Sequence, residues 1–396
     1  MPSIHLAGAM ADIDKAAWDT CMGTDNPFVR HAFLEALERS GSAVPETGWH
    51  PRHMVATEDD GKVVACAPMY LKTHSYGEYV FDWGWAEAYT RAGGRYYPKL
   101  QCAVPFTPVA GPRLGLHPEA PAGLADALPA AMIEATRVLG ASSVHVTFLG
   151  DISAEPFERN GFVRRLGHQY HWHNQGYDSF DHFLAALSSR KRKQIRKERA
   201  AMAASGLTLR TLVGDDVKAR HWDAFHRFHQ VVVDRKWGSA YLTRDFFDML
   251  SASELGGQVV LIWAEDDGEP VAAAFNMLGG DTLYGRTWGA GRDVPFLHFE
   301  ACYYRALDFA IVHGLARVEA GAQGEHKVAR GYEPVATHSV HWLADQGLHQ
   351  AVARAVAAER LSVAAHMMAV LDDGPFRQNV RGGLDQCQET VKKNVV

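Results

Sequence analysis

The sequence predicts a mixed α/β fold in which two similar units with largely antiparallel central sheets stand in tandem, followed by a helical tail. The first observation is a diverged internal repeat, because the tetrapeptide EDDG recurs at Glu58 and Glu265 and each copy lies between apolar runs. An Asp-Gly pair between apolar runs is typical of a β-hairpin turn. The second observation is a later aromatic stretch, which begins at Tyr79 in one copy and at Tyr284 in the other. Both aromatic stretches are predicted to be strands.

The composition narrows the class of protein. The chain has 396 residues, of which 47% are hydrophobic and 22% are charged, and these values exclude a largely disordered, collagen-like or coiled-coil protein. The net charge of -6 excludes a globally basic nucleic-acid binder, so any polyanion site must be a local patch. No apolar run reaches the roughly 20 residues of a membrane span, and no signal peptide is visible. We therefore expect a cytoplasmic protein without a membrane span.

The first unit is predicted to cover residues 1–174. An amphipathic helix comes first, and a Pro-rich and Gly-rich aromatic stretch that is too irregular for a helix follows the hairpin. The predicted elements, apart from the hairpin, are a helix at 28–41, the irregular stretch at 91–113, a helix at 124–140 and buried strands at 142–150 and 162–174.

The second unit is predicted to cover residues 175–345, and residues 346–396 are predicted to form a helical tail that frays at its end. Glycines that follow helical patterns mark several helix ends. The predicted elements are a helix from Tyr177, a strongly basic helix that ends at Gly206, a strand at 207–213, helices at 221–238 and 243–250, a hairpin at 259–288, a helix at 297–314, a short strand at 316–322 and a last strand before the tail.

Several enzyme classes are excluded by the motifs that the sequence lacks. No GxGxxG opens a helix after a first strand, and no GxxxxGK[ST] occurs, so a dinucleotide-binding fold and a P-loop are excluded. No G-x-S-x-G elbow occurs, which excludes an α/β-hydrolase. The five cysteines include no CxxC pair, which favours reduced thiols over disulfides or zinc. His171 and His173 share a strand face, but no third ligand lies nearby in sequence, so we predict no metal site.

The order of elements resembles the GNAT acyltransferase fold, and the tandem arrangement resembles the Fem-type aminoacyltransferases. The segments that carry the resemblance are LKTHSYGEYVFDWGWAEAY, GGRYYPKLQCAVPFTPVAGPR, SSRKRKQIRKER, DRKWG, LHFEACYY and EAGAQGEHKVARGYEPV. Together they resemble the bacterial Fem-like family labelled for peptidoglycan biosynthesis or recognition. The resemblance implies transfer of an acyl or aminoacyl group to an amine. It implies acyl-CoA or aminoacyl-tRNA as the donor substrate, and no covalently bound cofactor.

The first candidate site is the stretch RTWGAGR at 286–292, which is similar to the R/Q-x-x-G-x-G/A pattern that GNAT enzymes use for the CoA pyrophosphate. Glycines let backbone N–H groups approach an anion, and a following helix adds its N-terminal dipole. Here Asp293-Val-Pro295 separates the pattern from the helix. The alternative is a Gly-rich strand end and turn. The candidate donor-binding residues are Arg286, Gly289, Gly291, Arg292 and His298.

The second candidate site is the stretch EAGAQGEHKVARGY, in which charged groups stand between glycines after a buried strand. Such groups are costly to bury unless they are paired or used. Glu319 is the better general base by position, and His326 is the alternative because of its ordinary pKa. Lys327 resembles the Fem-type lysine near the acyl end of the donor. The alternative is a structural ion-pair network, and the candidates are Glu319, Gln323, Glu325, His326, Lys327, Arg330 and Tyr332.

Two further candidate sites concern the donor and the acceptor. The run SRKRKQIRKER concentrates like charges on one helix, which a bound polyanion would offset. Lys191, Arg192 and Arg196 are therefore candidates for binding a tRNA backbone, a nucleotide diphosphate or an acidic lipid surface; the alternative is a solvated face. Tyr96, Tyr97 and Lys99 suit a small polar acceptor, and the alternative there is an aromatic packing surface.

These observations predict a transferase in which an amine attacks an activated acyl carbonyl directly, without a covalent enzyme intermediate. The active site is expected in the second unit or in the cleft between units, and the first unit is expected to shape the acceptor side. The expected partners are a small amine or peptide acceptor and tRNA. Two alternatives remain: a plain acyl-CoA N-acyltransferase, and a non-catalytic binding module that recognises a peptidoglycan precursor or RNA.

Overall fold

The structure, a computed structural model, describes residues 2–150, 154–236, 241–321 and 324–377. The chain divides into two compact units. The first unit combines the chain up to Gly167 with Thr337–Val363, and the second combines His168–Ala336 with the chain from Ala364 onward. Each unit therefore includes a late segment of the chain. That independently folding domains end at residues 174 and 345 stays a prediction.

Among the residues that the structure describes, the first unit contains eight whole strands, the start of β9 (Val163–His173), the end of a further strand and most of a long helix. Its strands are β1 (Ser3–Ala7), β2 (Trp49–Pro51), β3 (His53–Thr57), β4 (Val63–Ala67), β5 (Met69–Lys72), β6 (Lys99–Cys102), β7 (Gly115–Leu116), β8 (Ser143–Leu149) and the end of β15 (Glu333–Leu343). Its helices are α1 (Lys15–Met22), α2 (His31–Arg39), α3 (Trp83–Arg91), α4 (Leu124–Val138), α5 (Glu155–Arg159) and the first part of α12 (Gln346–Asp372).

The sheets of the first unit have the orders β1-β3-β4-β7 and β15-β8-β6-β5-β2. All pairs are antiparallel except β6 and β8, which run parallel from Leu100 to Cys102. Strand β8 is buried along its whole length, including the polar His145. One hydrophobic core packs α4 and α5 against these strands.

The second unit is built on a single sheet with the order β10-β11-β12-β13-β14-β9. Its strands are β9 (Val163–His173, which begins in the first unit), β10 (Thr208–Val213), β11 (Val259–Asp266), β12 (Glu269–Gly279), β13 (Thr282–Ala290) and β14 (Arg317–Glu319). Its helices are α6 (Phe180–Ala186), α7 (Ser189–Ala203), α8 (Ala219–Lys236), α9 (Arg244–Ala252), α10 (Leu297–Phe299) and α11 (Arg305–Val312). A π-helical turn, Glu300–Tyr304, joins α10 to α11.

The two faces of this sheet differ. Trp172, Leu283 and Val318 point to one face and enter the main core, where they meet α6, the π-helical turn and α11. Because side chains alternate along a strand, His171, Tyr284 and Glu319 point to the other face. That face therefore carries polar side chains of the candidate active site.

The predicted mixed α/β fold with largely antiparallel sheets is confirmed, and so are both EDDG hairpins, β3–β4 and β11–β12. One predicted strand is wrong. The aromatic stretch that starts at Tyr79 leads into the helix α3, whereas its counterpart from Tyr284 lies in β13. Asp82 precedes α3, and its carboxylate binds Lys99 instead of capping the helix. The helical tail is confirmed through Asp372, and residues 378–396 lie outside the described residues.

Candidate active site in the second unit

The parallel strands β13 and β14 pair over only three residues and then part. Thr282 pairs with Arg317, and Tyr284 pairs with Glu319, where β14 ends. Strand β13 continues to Ala290, and no described strand pairs with Gly285–Ala290 on the side of β14. We call this place, beyond Tyr284 and Glu319, the strand fork.

A β-bulge lies on β13 at the start of the strand fork. Phe275 of β12 pairs with Thr287 and the next residue, Asn276, pairs with Gly285, so Arg286 is the extra residue. Bulges bend a strand and re-aim its side chains, and they are frequent beside active sites. Gly285 has no room for a larger side chain, because a Cβ there would lie 3.2 Å from the Glu319 carbonyl oxygen. The strand ends therefore approach closely before they part.

Glu319 is the carboxylate at the strand fork, and it is 5% exposed. Its Oε1 lies 3.1 Å from Arg317 Nε, an ion-pair contact without hydrogen-bond alignment. Its Oε2 has no hydrogen-bond partner among the described residues. Burial raises the pKa of Glu319 to about 7, against the opposing effect of Arg317 and then Arg286. A carboxylate with this pKa can gain and lose a proton near neutral pH.

His171 lies beside Glu319 on the neighbouring strand β9. Its Nε2 is 3.7 Å from Glu319 Oε2 and 3.2 Å from Gln169 Oε1. Burial lowers the pKa of His171 well below its usual range, and Arg317, His173 and Lys327 lower it further. His171 is therefore neutral near pH 7 and adds no positive charge beside the carboxylate.

The segment after β14 brings together the other predicted groups. Lys327 is buried, and its Nζ donates to the Gly321 carbonyl oxygen at 2.7 Å. Burial lowers the pKa of Lys327 to about 7. Arg330 is also buried, and it donates to Glu198 Oε2 at 2.9 Å and to the His326 carbonyl oxygen at 2.7 Å. The predicted ion-pair network thus joins Arg330 to the basic helix α7 and not to Glu319.

Two of the remaining predicted residues of this segment, His326 and Tyr332, are aromatic. His326 is exposed, and its Nε2 lies 2.7 Å from the Tyr303 hydroxyl. Tyr332 is fully buried, and its hydroxyl has no hydrogen-bond partner among the described residues. Burial raises the pKa of Tyr332 well above its usual range, so the hydroxyl stays protonated. Gln323 lies outside the described residues.

The glycines of RTWGAGR take part in the pairing and close packing of the hairpin. Gly289 pairs with Ala273 of β12, and the Gly291 N–H donates to the Val271 carbonyl oxygen at 2.9 Å. A Cβ at Gly289 would lie 2.7 Å from the backbone nitrogen of His229. The glycines therefore allow α8 to cross β13 closely, and the Gly291 amide is engaged within the hairpin. A role of both glycines in donor binding stays a prediction.

The other predicted donor residues lie nearby along the chain. Arg292 forms an exposed ion pair with Asp266. His298 lies in α10, with its ring centroid 5.5 Å from that of Trp288. The helix starts at Leu297, so the separation from the glycines that the sequence predicts is present in the structure.

The basic helix α7 has two different sides. On one side Glu198 binds Arg330, and Arg199 binds Glu300 at 3.1 Å. Arg196 is exposed and pairs with Asp181 at 2.9 Å, while Lys191 and Arg192 are half-buried and have no ion-pair partner within the described ranges. Lys191 and Arg192 belong to the first turn of the helix, where the helix dipole disfavours cations. Polyanion binding by these residues stays a prediction.

The model of the FemAB-like family, described as peptidoglycan biosynthesis/recognition, matches residues 9–378. The chain belongs to the FemAB-like family. No curated protein shows a significant sequence match.

Two solved structures show that this FemAB-like protein has the same fold. FemX is 12% identical with a TM-score of 0.50, and the match covers 86% of this chain and 98% of that chain. The C-terminal domain (DUF2156) of a putative lysylphosphatidylglycerol synthetase from Agrobacterium fabrum is 12% identical with a TM-score of 0.52, and the match covers 87% and 96%. At this identity the likeness concerns the fold, which is a tandem GNAT-like arrangement.

The predicted acceptor residues of the FemAB-like protein form a buried cluster in the first unit. The Lys99 ammonium donates to three partners, which are Glu78 at 2.7 Å, Ser75 at 2.8 Å and Asp82. The Tyr96 hydroxyl donates to Asp82 at 2.7 Å, and the Tyr97 hydroxyl lies 2.8 Å from that of Ser75. Lys99 is fully buried, so the cluster is a closed network in this conformation. Acceptor binding by these residues stays a prediction.

Sequence reasoning missed Arg317, Glu198 and Tyr303. Arg317 stands two residues before Glu319 in a predicted strand, and this spacing alone places both on one face. Glu198 is the single acidic residue among the cations of the basic run, which hints at an inward partner. Nothing in the sequence indicates that Tyr303 meets His326, because the contact joins a π-helical turn to a distant loop.

Neither a metal-binding cluster nor a membrane-spanning helix is found within residues 2–150, 154–236, 241–321 and 324–377. Across these ranges, no three His, Cys, Asp or Glu side chains are grouped so that they could hold a metal ion. The rings of His171 and His173 lie 6.4 Å apart. None of the described helices is both long and apolar enough to cross a membrane.

Proposed function

We propose that this FemAB-like protein is an N-acyltransferase or aminoacyltransferase in which the amine of an acceptor attacks an activated acyl carbonyl directly. The observation that carries the proposal is Glu319. It is a buried carboxylate at a strand fork, with a pKa near 7 and one oxygen that has no hydrogen-bond partner among the described residues. A general base is most effective when its pKa lies near the working pH.

The proposed mechanism needs few groups. Ionised Glu319 accepts a proton from the amine as the nitrogen attacks the carbonyl carbon, and the leaving group departs as the tetrahedral intermediate collapses. Lys327, with a pKa near 7, can return a proton to the departing thiol or ribose oxygen. Arg317 and Arg286 keep positive charge near the carboxylate, which also favours an oxyanion that forms there.

The second unit is the proposed donor site because the first unit fills the matching space with its own chain. Strands β6 and β8 also run parallel, but past their paired residues Gly111 bridges to Leu149. The Arg113 guanidinium donates to the Thr147 carbonyl oxygen at 2.8 Å and is itself buried. Among the described residues, no isolated bridge of this kind crosses the strand fork of the second unit.

The choice of donor rests on separate observations. The cations Lys191 and Arg192, without ion-pair partners in the described structure, support a phosphate-rich donor such as aminoacyl-tRNA. The pattern from Arg286 to Arg292 supports acyl-CoA. For the acceptor we propose an amine on a peptidoglycan precursor, in line with the family description. Acceptor binding by Tyr96, Tyr97 and Lys99 of the first unit requires their closed hydrogen-bond network to open.

The test compares two matched variants, Glu319→Gln and Glu333→Gln. Glu333 is also buried in the second unit, and burial likewise raises its pKa to about 7, but it lies outside the proposed machinery. Purified proteins receive radiolabelled aminoacyl-tRNA or acetyl-CoA together with a peptidoglycan precursor whose stem peptide carries a free amine. We expect Glu319→Gln to lower the transfer rate by roughly 10²–10⁴-fold and Glu333→Gln to leave it unchanged.

The other outcomes are equally informative. If Glu319→Gln transfers at the wild-type rate, Glu319 is not the base and His326 becomes the candidate. If the wild-type protein binds the precursor but transfers no group from either donor, the chain is a binding module. Donor binding itself is measured by thermal unfolding, because a ligand at 100 times its dissociation constant adds about 2.7 kcal/mol of stability.

A further inference from the structure

Five aromatic side chains surround the strand fork on the face of the sheet that α10 and α11 cover. They come from each element that borders the fork: the unpaired part of β13, the helix that follows β13, and the segment that follows β14. We call them the ring cluster, which consists of Trp288, His298, Phe299, Tyr303 and His326. The centroid of the His298 ring lies 5.5 Å from Trp288, 5.4 Å from Tyr303 and 6.0 Å from His326.

The outermost ring of the cluster, His326, is exposed and yet held in place by two buried residues. The Tyr303 hydroxyl lies 2.7 Å from His326 Nε2 and fixes the plane of the ring. Arg330 donates to the His326 carbonyl oxygen at 2.7 Å and fixes the backbone. An exposed side chain ordinarily keeps its rotamer freedom, so fixing it costs conformational entropy. A ligand that contacts this ring therefore pays little further ordering cost.

The ring beside it, Phe299, is held in the same way. The Arg330 guanidinium lies 3.5 Å from the centroid of the Phe299 ring, as a cation–π contact. Arg330 in turn is paired with the buried Glu198 of α7. One buried ion pair thus supports both Phe299 and His326 from beneath, and half-exposed faces remain on Trp288 and His298.

We propose that the ring cluster is a stacking site for the adenine ring of the donor. The inference rests on the proposed function, because both donors considered there carry adenosine, acyl-CoA in its nucleotide and aminoacyl-tRNA at its 3′ end. Preorganised, partly exposed rings suit a flat and uncharged base, since base–aromatic stacking contributes about 1–3 kcal/mol per base. His326 follows Glu319 and Lys327 precedes Arg330 in one chain segment, so the ring cluster on the α10 and α11 face is joined through this segment to Glu319 on the opposite face.

The experiment measures binding without any transfer reaction. Saturation-transfer NMR compares adenosine with uridine at equal concentration, and calorimetry gives the affinity for CoA. We expect adenosine to bind more tightly than uridine. We expect His326→Ala to weaken CoA or adenosine binding by roughly 5- to 150-fold, which is the stacking energy converted at 1.4 kcal/mol per factor of ten. The matched control is His313→Ala, because His313 is an exposed histidine that stacks on Phe309 at the far end of α11.

A second variant is used because His326→Ala can also change the conformation of the loop. Tyr303→Phe keeps the ring but removes the hydroxyl that orients His326, and we expect a smaller loss of adenosine affinity. The source of the adenosine is separated with tRNA probes: a tRNA with its 3′-terminal adenosine, the same tRNA without that nucleotide, and CoA. If His326→Ala weakens the binding of only one of these probes, that probe identifies the donor.

The proposal is overturned if adenosine binds no better than uridine, or if His326→Ala and His313→Ala weaken binding equally. Its failure can be told apart from failure of the proposed function. A protein that transfers a group and needs Glu319, but ignores adenosine, retains its function and lacks the stacking site. A protein that binds adenosine through His326 but transfers nothing retains the adenine site and loses the transferase assignment.

Discussion

Replacing Glu319 by Gln should make the protein more stable at pH 8, although it removes a charged partner of Arg317. Burial raises the pKa of Glu319 from its ordinary value of 4.5 to about 7. The folded protein therefore binds this proton more tightly than the unfolded chain does. Stability from this group is fully present below about pH 4.5 and is lost as the pH rises through about 7. Gln keeps the neutral shape at every pH and avoids the loss.

The size of the effect follows from the same pKa values. A tenfold change in an equilibrium corresponds to about 1.4 kcal/mol, so raising a pKa from 4.5 to about 7 corresponds to roughly 3 kcal/mol at pH 8. Loss of the contact with Arg317, which lies 3.1 Å away, subtracts from this gain. Arg317 is 37% exposed, so its guanidinium can reach water and the subtraction is small. We expect a net gain of about 1–3 kcal/mol.

The assay is urea unfolding of the wild type, Glu319→Gln and Glu333→Gln at about pH 5 and pH 8. The stability advantage of each variant over the wild type should be larger at pH 8 than at pH 5, because burial raises the pKa of both carboxyls to about 7 and only the wild type loses stability when they ionise. Only Glu319→Gln should lose transfer activity. A Glu319→Gln protein that is less stable than the wild type at pH 8 by about 3 kcal/mol would show that the carboxylate anchors Arg317 as a buried ion pair, and the reasoning would be wrong.

Three further predictions concern neighbouring residues. Tyr332→Phe should leave stability within about 1 kcal/mol of the wild type by thermal unfolding, because the hydroxyl has no hydrogen-bond partner among the described residues, and a loss of rate would then assign the hydroxyl to the reaction. Gly285→Val should destabilise the protein by about 1–3 kcal/mol in the same assay, since its Cβ would meet the Glu319 backbone at 3.2 Å; unchanged stability would contradict the close approach. Replacing Lys191 and Arg192 by Gln should reduce the salt dependence of tRNA binding measured by filter retention, and an unchanged salt slope would make this surface a solvated face.

Much of the fold could be predicted from the sequence because its signals are local. The helices at 124–140 and 297–314 and the buried strands at 142–150 and 162–174 follow from apolar periodicity and from glycines at their ends, and the structure confirms each within a few residues. The strand predicted from Tyr79 is wrong because contacts with a distant part of the chain decide the structure there. Aromatic residues favour a strand locally, but the chain there is held by the buried Lys99, which binds Glu78 and Asp82 from another part of the sequence.

The site was harder to predict for the same reason. Glu319 could be predicted as a buried carboxylate from its strand, but its pKa depends on which cations reach it. Sequence neighbours suggest Lys327 or Arg330, whereas in the structure Arg330 binds Glu198 and Lys327 binds a carbonyl oxygen. Pairings between residues far apart in the chain decide the charge of a buried group, and sequence spacing does not contain them.

Three departures from regular structure in the second unit lie beside the strand fork. Beside the strand fork lie a bulge at Arg286, a π-helical turn over Glu300–Tyr304, and Phe296 in a left-handed backbone conformation with φ 66°. Each carries a free-energy cost that regular strands and helices avoid. In the first unit, the matching space beyond β6 and β8 is closed by hydrogen bonds from Gly111 and Arg113. The first unit also carries an irregular residue here, Phe148 with φ 56°, but its carbonyl oxygen accepts from Gly111 within the closed space. What distinguishes the second unit is therefore the buried carboxylate of Glu319 at the strand fork, which the chemistry proposed for it explains.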